Sequence, residues 1–128
     1  MYKSFDTLVD KATTGSKAPI RALQAWQYLI GKAASRQLVK YDELKQLMGY
    51  PDNRPLGSIL GCIMYYCEQN NIPPLTLIVV NQSGNPGGGF TAEKLKNYPK
   101  RREAVFDFPW FKMLPPSIDE FQQARDNA

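Results

Sequence analysis

Between Pro55 and the Pro73-Pro74 pair, apolar residues recur at Leu56, Ile59, Leu60, Ile63, Met64 and Cys67. That is the i, i+3, i+4, i+7 pattern of a single helix face, so this segment must be a helix that buries one stripe. Pro55 suits the first turn, where a missing N–H costs nothing, and Asn70-Asn71-Ile72-Pro73-Pro74 stops the helix. The opposite face carries Gly57, Ser58 and Gly61, with Arg54 at its N-terminal end. Each glycine inside a helix costs about 1 kcal/mol relative to alanine. Something should therefore approach the backbone closely there, either a second helix of the same domain or a DNA groove.

Upstream, Pro19 opens another amphipathic helix, in which Ile20, Leu23, Trp26, Gln27, Ile30, Ala33 and Ala34 share a face; all but Gln27 are apolar. Gln37–Lys40 reads as a short extended link. Tyr41–Met48 reads as a helix with Asp42 and Glu43 in its first turn, where the helix dipole favours acids. Gly49 ends it and Tyr50-Pro51 blocks continuation. Before these helices a short one is expected around Phe5–Lys11, then a polar loop, ATTGSK.

After the proline pair, the apolar, β-branched run Leu75–Val80 is expected to be a buried strand. Asn81-Gln82-Ser83-Gly84 and Gly87-Gly88-Gly89 then read as a turn or wing, the glycines as a mobile loop. A short helix is expected over Thr91–Asn97. Ser117 and Glu120 have the spacing of a capping box, which starts a last helix running to about Arg125. No repeat, linker or second domain interrupts this order. The expected fold is mostly α with a small β wing: a winged helix-turn-helix over about residues 19–90, extended at the N-terminus and by 91–128, in one domain of 128 residues.

Zero histidines exclude Ser-His-Asp and Cys-His nucleophilic sites, HExxH zinc sites and histidine acid–base catalysis. The 12 carboxylates form no obvious pair beside a phosphate loop, and GNPGGG lacks the Gly-Lys-Ser/Thr of a Walker motif. The sequence offers no site for an enzyme, a cofactor or a metal. Cys62 and Cys67, five apart in a helix, are separated by about 500° of rotation, so they read as two buried thiols rather than a disulfide or ligand pair. A net charge of +4 mildly favours nucleic acid as a partner. No run approaches the roughly 20 apolar residues of a membrane span. The N-terminal stretch has no apolar core of a secretory signal, so a cytoplasmic location is the default expectation.

From about Trp26 to Phe90 the chain resembles the DNA-binding domain of O6-alkylguanine-DNA alkyltransferases and of the alkyltransferase-like proteins. In those families a tyrosine opens one helix in a Ser/Thr-Tyr-x-x-Leu-Ala pattern, matched here by LVKYDELKQLMGY with Tyr41 at the tyrosine. An Arg-Ala-Val-Gly opens the recognition helix, matched by Arg54-Pro55-Leu56-Gly57. A Pro-Cys-His-Arg-Val-Val segment and a Ser-Gly turn follow, matched by Leu75–Val80 and Ser83-Gly84. Anchored on Val79-Val80 and Ser83-Gly84, Thr76 falls on the nucleophilic cysteine, Leu77 on the histidine and Ile78 on the arginine. Transfer of an alkyl group to cysteine is therefore not expected.

The resemblance implies that Arg54 inserts into the DNA stack in place of an extruded nucleotide, while Tyr41 presses on its phosphate. Gly57 and Ser58 would lie against the minor-groove backbone, with Gly61 on the same face. Without DNA, Arg54 is a solvated residue at a helix start and Tyr41 a rim residue shielding the core. Lys100, Arg101 and Arg102, beyond the segment the resemblance covers, read either as phosphate contacts or as a solvated face. The cluster Phe106, Phe108, Trp110 and Phe111 reads as a strap across the domain or, through Phe108, Trp110 and Phe111, as a protein-binding surface. Two functions follow as expectations. One is a non-catalytic DNA-binding protein acting on duplex or damaged DNA; the other is a small interaction, regulatory or inhibitor protein of phage or mobile-element type on the same scaffold.

Overall fold

The computed structural model describes residues 2–5, 17–86 and 96–128. Apart from Phe5 and Lys96-Asn97, the expected helices around Phe5–Lys11 and Thr91–Asn97 lie outside the described residues, as does the Gly87–Gly89 loop. Five α-helices and two short strands are described: α1 (Ala18–Ala34), β1 (Val39–Lys40), α2 (Tyr41–Met48), α3 (Arg54–Gln69), β2 (Val79–Val80), α4 (Tyr98–Asp107) and α5 (Ile118–Asp126). The protein is thus mostly helical with a small two-stranded parallel sheet, Val39 pairing with Val79 and Lys40 with Val80.

Local chemistry accounts for most helix ends. Pro19 and Pro55 stand in the first turns of α1 and α3. Gly49 caps α2 in the left-handed region at φ 75°, which only glycine adopts without cost. At α5 the Ser117 hydroxyl accepts from the Glu120 amide while the Glu120 carboxylate accepts from the Ser117 amide, so the capping box forms in both directions.

The strand expected over Leu75–Val80 is only its last two residues. Leu75–Ile78 winds into a 3-10 turn with all four side chains buried. The reason is the partner: β1 is two residues long and can satisfy only two residues of ladder. The preceding backbone must bond to itself, beginning with the Leu77 N–H donating to the Pro74 carbonyl at 2.9 Å. After β2 the chain turns back tightly. The Asn81 side chain accepts from the Ser83 and Asn85 amides, Gly84 takes φ 82°, and Pro86 forms an antiparallel bridge to Val80.

The core is one continuous cluster centred on the fully buried Trp26 of α1. Tyr66 of α3 and Trp110 meet its ring edge-on at centroid distances of 5.9 and 5.5 Å, and Phe121 of α5 leans on it at 6.0 Å. α1 buries Ala18, Ala22, Ala25, Trp26, Leu29, Ile30 and Ala33, so its inward face is rotated from the expected one. Ile20 and Leu23 are only half-buried, and Gln27 and Ala34 are exposed. Its alanines face inward because α3 and α5 both pack on this side, and small side chains let three helices come close. The C-terminal segment is an integral part of this core, supplying Val105, Trp110, Phe121 and Ala124. Cys62 and Cys67 are free and buried. Among the described residues no helix is long and apolar enough to cross a membrane.

Candidate functional site

The first turn of α3 is tied to two neighbouring elements through Asp42, the second residue of α2. Its carboxylate accepts from the Asn53 side chain at 3.5 Å, just ahead of α3, and from Gln82 in the turn after β2. Lys45, one turn along α2, sits 3.6 Å away. The Lys45 ammonium, then the Asn53 hydrogen bond, hold the Asp42 carboxyl below its ordinary value. One half-buried carboxylate thus holds together the starts of α2 and α3 and the turn that follows β2.

Arg54 projects from this corner with its side chain 90% exposed. It is not a lone cation. Its Nε lies 3.1 Å from both oxygens of Asp52 and its Nη2 2.7 Å from one, while its backbone N–H donates to the same carboxylate at 2.9 Å. These bonds lower the Asp52 pKa and raise that of Arg54. Asp52 serves as the N-terminal cap that the Asn53 side chain does not provide.

Along the outer face of α3, Gly57 and Ser58 are exposed and Gly61 is half-buried. A Cβ placed on Gly57 would meet nothing within 4 Å. On Gly61 it would meet only the Tyr65 ring, at an ordinary contact distance of 3.7 Å. No second helix of the described chain presses on this face, so internal packing does not account for Gly57.

Tyr41 opens α2 and is half-buried against the core, and loss of solvent raises the pKa of its phenol. The same helix is fixed to α1 by Glu43, which accepts from the Tyr28 hydroxyl and lies 3.6 Å from the Lys32 ammonium. The Glu43 hydrogen bond, then burial, push the Tyr28 pKa up.

Lys100, Arg101 and Arg102 lie on α4, a helix not anticipated from the sequence. Only Val105 of α4 is buried, so there is no apolar stripe to announce it; Pro99 in its first turn was the available signal. Lys100 and Arg101 are exposed. Arg102 is half-buried, 5.4 Å from the Tyr98 ring, with a buried Nε that has no hydrogen-bond partner, so it is the least outward of the three. α4 is anchored to the end of α1 by Arg36, which donates to Glu103 and, at 3.0 Å, to Asp107. Its cations and Arg54 are therefore held by different anchor points.

Trp110 cannot belong to a partner surface. It is 1% exposed, and its indole N–H donates to the Val105 carbonyl at 2.7 Å. Phe108 is half-buried and leans on it, its ring tilted, at a centroid distance of 4.5 Å. Phe111 alone of the three points outward, 69% exposed, with Leu114 beyond it at 87%. The segment is a strap: one aromatic residue fills the core and its neighbour faces solvent.

At the positions where the resemblance sets reactive residues, Thr76 is 4% exposed and Leu77 and Ile78 are fully buried. The Thr76 hydroxyl finds no hydrogen-bond partner. Among the described residues, no group of three or more Cys, Asp or Glu is placed to hold a metal ion. Asp42 was legible only as a first-turn acid of α2, and Asp52 was not singled out from the sequence. The Asp-x-Arg spacing ahead of a helix was a signal for Asp52; nothing local marked Asp42 as a three-way tie. No protein-family model, no curated protein and no solved structure matches this chain.

Proposed function

We propose that the chain is a non-catalytic DNA-binding protein, with α2 and α3 as the helix-turn-helix of a winged-helix domain of alkyltransferase-like type. The observation that carries this reading is the open backbone at Gly57. A glycine in a helix is costly, and among the described residues no neighbour requires it here. A rigid external surface that must lie flush on α3 gives the position a reason. Duplex DNA fits a chain of net charge +4 with an exposed arginine at the start of the same helix.

In this reading α3 lies along the duplex with Gly57 and Ser58 against the backbone, and Gly61 continues the flat face. Arg54 leaves Asp52 to enter the base stack, and the Tyr41 ring, already braced by the core, bears on the adjacent phosphate. Lys100 and Arg101 make outlying phosphate contacts. Alkyl transfer plays no part: Thr76 is buried in the core and its neighbours are aliphatic.

Fluorescence anisotropy with plain and base-modified duplexes at two salt concentrations tests it. Binding should weaken steeply with salt, as expected where cations displace counterions from phosphates. Absence of binding at low salt, or unaltered binding by a folded Gly57→Leu variant, rejects the reading.

A second reading, a small protein-interaction or inhibitor protein, draws on the outward Phe111 and Leu114. It predicts a stoichiometric partner lost on Phe111→Ala, and it is abandoned if DNA binding proceeds normally and no partner is recovered.

A further inference from the structure

Beside the glycine face of α3 lies a cavity of about 240 Å³, walled by Tyr50, Pro55, Ser58 and Ile59, with Lys17 and Arg125 completing it. Four parts of the chain meet here: the start of α1 with the residue before it, the link between α2 and α3, the first turns of α3 and the end of α5. Ser58 belongs to both regions. On a helix turning about 100° per residue, Arg54, Gly57, Ser58 and Gly61 occupy one side, while Pro55, Ser58 and Ile59 occupy the next.

Among the described residues that line it, Lys17 and Arg125 are cationic and none is acidic. A third cation stands behind the Tyr50 wall: the Arg21 guanidinium is 5.5 Å from the Tyr50 ring and 3.5 Å from that of Phe5. Lys17 also leans on Phe5, its Nζ 5.2 Å from the ring centre. Aromatic faces hold Lys17 and Arg21 without neutralising them, unlike the carboxylates that face Arg54 and Arg36.

We propose that this cavity seats one sugar–phosphate unit of the DNA backbone. The phosphate lies among the Lys17 ammonium, the Arg125 guanidinium and the Ser58 hydroxyl, and the deoxyribose lies against Pro55, Ile59 and the Tyr50 ring. A phosphate is acceptor-only, and Lys17, Arg125 and Ser58 bring side-chain donors to the lining. Arg125, with five N–H donors, can keep a partner within the fold and still serve the phosphate. The volume exceeds what a bare phosphate occupies, and the apolar walls suit the carbon skeleton of the sugar. The inference rests on the DNA-binding reading. The same chemistry would also admit a free nucleotide.

The full chain is compared with Lys17→Gln, Arg125→Gln, their double variant and, as a control for net charge, Lys112→Gln, with thermal unfolding to verify folding. Duplex binding is followed by anisotropy across a salt series. Amide shifts of Ser58 and Tyr50 are followed on titration with inorganic phosphate and with thymidine monophosphate. The expected result is a loss of about tenfold in duplex affinity for the double variant, a salt slope lower by roughly 1, and no change for Lys112→Gln. If the double variant does not fold, the single variants carry the comparison, each with a smaller loss in the same direction. Unchanged affinity and slope, with Arg54→Ala still abolishing binding, overturns the seat and leaves the DNA reading standing. If the wild type binds no DNA, that reading falls. Shifts of Ser58 and Tyr50 with thymidine monophosphate, lost in the variants, would then keep the cavity as a nucleotide site; no shifts with either phosphate would overturn it.

Discussion

The Arg54 guanidinium folds back onto the Asp52 carboxylate, with Nη2 2.7 Å from one oxygen and Nε 3.1 Å from both. The residue best placed to reach a ligand is thus held by an internal anion. Arg54 is exposed and Asp52 partly so, and the pair therefore adds little to stability and can open against a competing phosphate. Asp52→Asn should release Arg54 and strengthen duplex binding, with a salt slope steeper by about 1 if the freed cation meets one phosphate. Weaker binding in the folded variant would mean that Asp52 positions Arg54 rather than restrains it. The Asp52 pKa is lowered, so whatever the pair adds to stability is complete above the ordinary aspartate range. It fades as pH falls through the lowered value.

Gly57→Ala separates stability from binding. The added methyl meets no atom within 4 Å, so the helix should gain about 1 kcal/mol, seen as a higher denaturation midpoint. The same methyl stands where the duplex is to lie flush, and affinity should fall. A gain in stability with unchanged affinity would detach Gly57 from the interface.

Neighbouring aromatics on the strap should behave oppositely. Trp110→Ala removes a fully buried ring, its edge-on contact with Trp26 and its bond to the Val105 carbonyl, and should cost about 3–5 kcal/mol. Phe111→Ala, at an exposed position, should stay within about 0.5 kcal/mol. Urea titrations of both variants measure the difference, and similar losses would contradict the strap.

Alkaline pH should weaken the fold through Cys67. Burial pushes this thiol up to about 12, from 9.0 for an unburied thiol. The folded state therefore keeps its proton where the unfolded chain has lost it. The stabilisation is complete below 9.0 and declines as pH rises toward about 12, by at most about 1.4 kcal/mol per pH unit. Cys67→Ala should lower stability near neutrality and flatten this decline between pH 9 and 11, measured by denaturation at each pH. Thiol reagents should label Cys62 and Cys67 of the folded protein slowly at pH 8 and rapidly on unfolding, because both are buried and both pKa values are raised.

What the sequence determined by itself is what interactions within about four residues decide. The stripe from Leu56 to Cys67, the Gly49 stop and the Ser117–Glu120 box required α3, the end of α2 and the start of α5, and all three are as expected. Tertiary structure decided the rest. β1 is too short to pair more than Val79-Val80, so Leu75–Ile78 coils into a 3-10 turn although its side chains suit a strand. α3 and α5, both packing on one side of α1, turned its alanines inward. α4 is held by Arg36 and one buried valine, and no periodic stripe announced it. Trp110 and Phe111 are adjacent and similar in character, yet only packing against Trp26 chose which would be buried. The candidate site divides the same way. Arg54, Gly57 and Ser58 were legible as one helix face. The Asp52 and Asp42 carboxylates that hold it, and the meeting of Lys17 and Arg125 beside Ser58, depend on which charges the folded chain makes neighbours.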